Sequence, residues 1–98
     1  MKVRFLEVAE IELDQAVLWY EAQAAGLGDA LLIEVLSAAD RISLYPEAWQ
    51  ALDETFRRCR LNRFHYGLIS TIENENILVL AVAHLHREPD YWRDRLKR

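Results

Sequence analysis

Four side chains near the C-terminus have the types and spacing of an acid–base site: His84, His86, Arg87 and Tyr91. Residues i and i+2 of a strand share one face. A strand running through His86 therefore sets two imidazoles side by side, next to a guanidinium. Imidazoles titrate close to neutrality and are the usual proton-transfer groups; an arginine supplies the fixed charge that a phosphodiester transition state needs. The plainer alternative is that His84 ends a core strand and binds a backbone carbonyl, with His86 in a solvated loop. A second group is purely cationic. Arg57, Arg58, Arg60 and Arg63 fall in a stretch, 57–63, that holds no acid. With Arg87 they read as a basic surface for phosphate or a target, or else as an edge strand protected by charge. His65, His84, His86 and the single Cys59 lack zinc-type spacing, so no metal and no cofactor are expected. Cys59 reads as a small core residue on the inward face of a strand.

These groups need a scaffold, and the composition supplies one. The chain has 98 residues, 52% of them apolar and 29% charged, the balance of a globular protein and not of a disordered one. It is read as one domain over residues 1–98. No apolar run approaches the ~18–20 residues that span a bilayer. Met1–Phe5 is followed at once by acids instead of a signal-type apolar core. The expected setting is the cytoplasm, with no membrane partner. The net charge of −4 hides an asymmetry. Residues 1–55 carry 3 basic side chains against 11 acids, whereas residues 56–98 carry 9 against 5.

Apolar periodicity divides the chain in the same place. A short strand is expected at Lys2–Leu6. From Glu7 to about Ala25, residues Ala9, Leu13, Ala16, Val17, Tyr20 and Ala24 recur at helical spacing. A second helix follows from about Gly28 to Leu44, with Asp29 placed to cap or complement its start and Pro46 to stop it. The second half changes period: strands are expected at Thr55–Leu61, His65–Glu73 and Ile77–His84. The last of these is apolar on both faces and so belongs inside the sheet. Pro89 suits the first turn of a short helix running to Leu96, anchored by Tyr91 and Trp92. The expected order is β-α-α-β-β-β-α: an α+β fold with a helical hairpin packed on a mostly antiparallel sheet. Tyr20 belongs to the core stripe of the first helix. Trp19, with Leu18 and Ile11, is left as an apolar patch of the kind that binds a partner, or as packing under the C-terminus.

Several segments together resemble the RelE/ParE superfamily of bacterial toxins. Glu12-Leu13-Asp14-Gln15-Ala16-Val17-Leu18-Trp19-Tyr20-Glu21, Gly26-Leu27-Gly28 and Leu32-x-Glu34-Val35 are similar to its helical hairpin. Arg57-Arg58-Cys59-Arg60-Leu61-x-Arg63-Phe64-x-Tyr66 resembles its basic strand, and Val82-Ala83-His84-x-x-Arg87-x-Pro89-x-Tyr91-Trp92 its last strand and C-terminal segment, above all in the ParE-like branch. The resemblance implies the toxin of a type II toxin–antitoxin system. Its partner would be a small antitoxin protein encoded nearby, and the assembly a homodimer or a toxin–antitoxin hetero-oligomer. RelE-like members cut messenger RNA on the ribosome; ParE-like members inhibit DNA gyrase by binding it. Arg58 and Arg60 match the basic pair of the nuclease branch and Tyr91 its C-terminal tyrosine. Gly67 and Leu85 stand where that branch has cations. The ParE-like reading therefore leads, with the nuclease, or a non-toxic interaction module of the same fold, as alternatives.

Overall fold

In a computed structural model that describes residues 1–96, the chain runs β1 (Val3–Phe5), α1 (Glu7–Gln23), α2 (Leu27–Leu44), β2 (Gln50–Ala51), β3 (Arg57–Arg60), β4 (Tyr66–Glu73) and β5 (Asn76–His84), then a 3-10 helix at Arg93–Leu96. The five strands form one sheet in the order β1-β5-β4-β3-β2. β1 is parallel to β5 and every other pairing is antiparallel. This is the α+β class expected from the sequence, with the two-helix hairpin on one face. No helix among the described residues is long and apolar enough to cross a membrane.

The hairpin closes through one carboxylate and two glycines. Glu21, near the end of α1, accepts the backbone N–H groups of Gly26 and Gly28 at 2.9 and 3.0 Å. It thereby satisfies donors that every helix start leaves open and places negative charge at the positive end of α2. Asp29 does not take that capping role: Glu21 reaches the open amides from the neighbouring helix. Gly26 turns the chain with φ +87°, a conformation that costs a glycine little. Gly28 lets the helices touch, for a Cβ there would lie 2.6 Å from the Val17 carbonyl oxygen.

The sheet is covered on both faces. Leu13, Leu31, Val35 and Ile42 of the helices pack on Cys59, Leu68, Val79 and Val82. On the opposite face Phe56, Ile69, Leu78, Leu80 and Ala83 are covered by Trp92. The alternation on β5 is interrupted where Ser70 faces Val79 but Ile69 faces Ala81, leaving Leu80 as a bulged residue. The bulge turns both Leu80 and Ala81 toward the Trp92 side. Two expectations need correction. β2 is a strand absent from the expected order; at two residues it is too short to show alternation. The C-terminal helix from Pro89 is instead a turn leading to the 3-10 segment. Asp90 adopts φ +68°, outside helical space, and its carboxylate pairs with Arg93 at 2.9 Å.

Arg93 also pairs with Asp53 in the turn between β2 and β3, tying the C-terminal segment to the far side of the sheet. That hydrogen bond, with those from the Phe56 and Thr55 amides, lowers the Asp53 pKa from 3.8 to about 2. A carboxyl with a depressed native pKa stabilises the fold above its unfolded pKa and loses that contribution as pH falls through the native one. The thermal midpoint should therefore fall between pH 3.8 and about pH 2. Asp53→Asn should flatten that segment of the profile. An unchanged slope in the variant's melting curves would remove Asp53 from the account.

Candidate functional site

The residues of chemical interest converge on the end of β5, where the edge of the sheet is left by β1. β1 pairs with β5 only as far as Val79, so the outward backbone groups beyond it need other partners. Glu12 of α1 supplies one of them, and Arg95 another. One Glu12 carboxylate oxygen accepts the Val82 N–H at 3.1 Å and Arg95 Nη1 at 2.8 Å. The other accepts the Tyr91 hydroxyl at 2.7 Å, Arg95 Nη2 at 2.9 Å and Arg87 Nη1 at 3.4 Å. Arg95 in turn donates to the Leu80 carbonyl at 2.9 Å. Glu12 and Arg95 together replace the strand that is missing beside β5, and both are largely buried, at 11% and 16% side-chain exposure.

Tyr91 and Arg87, two of the four expected acid–base groups, are thus committed. The Tyr91 pKa is pushed up, chiefly by burial and then by the Glu12 carboxylate to which its hydroxyl donates. The Arg87 guanidinium stacks on its ring at 3.6 Å. Tyr91 therefore binds Glu12, while Trp92 is a buried anchor of the C-terminal segment, its ring edge-on to Phe56 at 4.8 Å.

His84 and His86 do come together, although the strand stops at His84 and His86 lies in the following turn. Their rings are 5.5 Å apart, and His65 completes a cluster at 6.5 and 5.7 Å from them. The bond made by His84 is the reverse of the one expected: its Nδ1 accepts the His86 backbone N–H at 3.1 Å. That places the ring proton of neutral His84 on Nε2 and occupies the lone pair a general base needs. Burial, then the neighbouring His86 and His65, lower the His84 pKa from 6.5. Among the described residues no group of His, Cys, Asp and Glu is arranged to hold a metal ion.

Beside this cluster an open groove of about 360 Å³ runs between α1 and β5, lined by Glu12, Gln15, Trp19, Tyr66, His84 and Arg87 among others. Trp19 stands at its wall with 59% of its surface exposed; Leu18 and Ile11, at 71% and 46%, continue an apolar stripe along the outward face of α1. The C-terminal segment does not cover them. The structure thus joins two groups that were separate in the sequence, the Trp19 patch and the His84–Arg87 set. Glu12 and Tyr66 join the site although their residue types and spacing do not mark them as functional. The one available sign for Glu12 was its place a turn from the buried Ala9 and Ala16, unusual for an acid on a helix.

The four clustered arginines do not share one surface. Strand alternation sends Arg57 to the helix side, where Nη1 donates to the Trp49 carbonyl at 2.9 Å. Arg58 and Arg60 take the other face. Arg63 lies in the following loop, its backbone N–H on the Glu34 carboxylate and its guanidinium over Phe64 at 5.5 Å. Gly67, where the nuclease branch has a cation, gives Arg58 its berth: a Cβ there would stand 3.0 Å from Arg58 Cγ. Cys59 is 1% exposed and burial pushes its thiol pKa up, so it is a core residue without nucleophilic character.

No family model matches the chain, nor does any curated protein. Among solved structures, one titled "Chromosomal ParDE TA system from P. aeruginosa" matches with a TM-score of 0.65, covering 87% of this chain and 96% of that one, at 13% sequence identity. What the two share is the fold, which in this chain is an α+β arrangement of two helices on a five-stranded mixed sheet.

Proposed function

We propose that this chain is the toxin of a two-protein toxin–antitoxin pair. It is restrained by a small antitoxin encoded beside it, and acts in the cytoplasm by binding DNA gyrase instead of cutting RNA. The fold shared with a structure titled as a ParDE toxin–antitoxin system supports the first part. The exposed Ile11–Leu18–Trp19 stripe beside the α1–β5 groove supports a protein partner, since contiguous apolar surface marks such sites.

The observation that carries the choice against RNA cleavage is the commitment of the acid–base groups. Tyr91 donates to Glu12 and His84 Nδ1 is filled by the His86 amide. Cleavage through a 2′-hydroxyl needs a free base, a proton donor and cations on the phosphate; here the His84 lone pair is occupied and positions 67 and 85 are Gly and Leu. The nuclease reading keeps one observation of its own, the cluster of His65, His84 and His86 beside Arg87.

Induction of the chain alone should arrest growth, with filamentation and DNA-damage signalling, and co-expression of the neighbouring small protein should restore it. Transcript 5′ ends should stay unchanged. New ends inside codons, lost in His84→Ala or Arg87→Ala variants that still fold, would establish the nuclease instead. Growth unaffected at full expression would leave an interaction module.

A further inference from the structure

The turn after β5 is held by a side chain that can take a proton. Neutral His84 carries its ring proton on Nε2, because Nδ1 accepts the His86 backbone N–H at 3.1 Å. A proton added to the ring goes to Nδ1, which then donates, and the His86 amide is left facing another donor. The hydrogen bond and the charged ring exclude each other. The other backbone bonds of the turn lie on either side of His86: Leu85 N–H to the His65 carbonyl at 2.8 Å, and Arg87 N–H to the His84 carbonyl at 3.0 Å. Arg87, the next residue, carries the cation of the α1–β5 groove. Its guanidinium stacks on Tyr91 at 3.6 Å and reaches Glu12 at 3.4 Å.

The surroundings work against a charged His84. The His65 and His86 rings stand 6.5 and 5.5 Å away and the Tyr66 ring 5.0 Å, and Arg87 lines the same groove. Glu12, the one acid of that lining, is already paired with Arg95 and Arg87. On its other side His84 borders a pocket with Arg58, Glu88 and Asp90; there Glu88 is exposed and Asp90 is paired with Arg93. Burial and the two imidazoles lower the His84 pKa from 6.5, so the closed turn loses stability as pH falls below that value.

We propose that the His84–Arg87 turn is a proton-operated latch on the groove between α1 and β5. It is closed while His84 Nδ1 accepts the His86 amide and released when that nitrogen is protonated. Release unpins the residue before Arg87, and the new charge repels the Arg87 guanidinium from the groove wall. The latch stands on the turn alone; its use in loosening an antitoxin rests on the function proposed above.

The test follows the His84 ring, the backbone amides and the Trp19 indole of the full chain by NMR. The titration runs from about pH 8 to about pH 5, which brackets histidine protonation. The His86 amide and the Trp19 indole, across the groove, should shift along the same curve as the His84 ring. An Asn side-chain oxygen accepts the amide two residues on and takes no proton in this range. His84→Asn should therefore hold both signals constant. His86→Gln keeps the backbone amide and removes one imidazole that lowers the His84 pKa, so the ring and amide curves should move together to higher pH; it serves if His84→Asn does not fold. A His86 amide indifferent to the His84 ring would overturn the latch, as would curves that separate in His86→Gln or a His84→Asn variant that follows the parent. The neighbouring small protein should bind the parent about five- to tenfold more weakly at about pH 5.5 than at about pH 7.5, and His84→Asn equally at both. Equal affinity for the parent at both values would overturn the regulatory use. Binding at neither would sink the pairing proposed above and leave the NMR result to decide the latch.

Discussion

Glu12→Ala should lower the unfolding free energy by about 3–5 kcal/mol, the usual cost of removing one member of a buried ion pair. The magnitude follows from what the substitution strands. Arg95 keeps the Leu80 carbonyl but loses its counter-charge, the Tyr91 hydroxyl loses its acceptor, and the Val82 N–H at the sheet edge loses its partner. Both charged groups are mostly buried, so solvent screens little of the loss. For a domain of this size each kcal/mol moves the thermal midpoint by about 4–8 °C, so a fall of at least about 12 °C is expected. Glu12→Gln keeps one acceptor and the Val82 bond and should cost about half as much. Urea unfolding with an unchanged denaturant slope would measure both. A loss under about 1 kcal/mol for the alanine variant would mean that Trp92 and the Arg93–Asp53 pair hold the C-terminal segment without Glu12.

Trp19→Ala should do the opposite: leave stability within about 0.5 kcal/mol and weaken the antitoxin complex by about 2–4 kcal/mol, or 30- to 700-fold in Kd. Its ring meets Tyr20 edge-on at 5.0 Å and more than half of the residue is exposed, so little is lost on folding. At an interface the same ring is a large rigid surface, the kind of side chain on which binding energy concentrates. Calorimetric titration of the purified chain with the neighbouring gene's product reads the effect directly. In cells, the variant should escape protection by co-expressed antitoxin while still melting like the parent. Full affinity in the variant would move the partner surface away from the α1–β5 groove.

The fold was legible because its signals are periodic and local. The two helical stripes, the acidic first turn of α1, Gly26 and the two-sided apolar run of β5 each dictate one element, and the elements permit few arrangements. The site was legible only in pieces. Trp19, His84, Arg87 and Tyr91 could be chosen by residue type, yet their states depend on Glu12, which meets Tyr91 across 79 positions of sequence and Arg95 across 83. No local pattern encodes such a pairing. The bond from the His86 amide to His84 is made in the turn that follows the strand end at His84, and no residue pattern announces it; the split of Arg57 from Arg58 follows simply from strand alternation. The departure at Gly67 was visible as a missing cation; its consequence, a berth for the Arg58 stem, appears only when β3 and β4 are laid side by side.

The central claim, that the chain acts by binding gyrase without cutting RNA, is tested most directly by adding the purified chain to purified DNA gyrase and relaxed plasmid. Supercoiling should be inhibited in proportion to the amount added, and pre-mixing with the antitoxin should restore it. Unimpaired supercoiling at a large molar excess, with messenger RNA cut when the same preparation is added to translating ribosomes, would contradict the account.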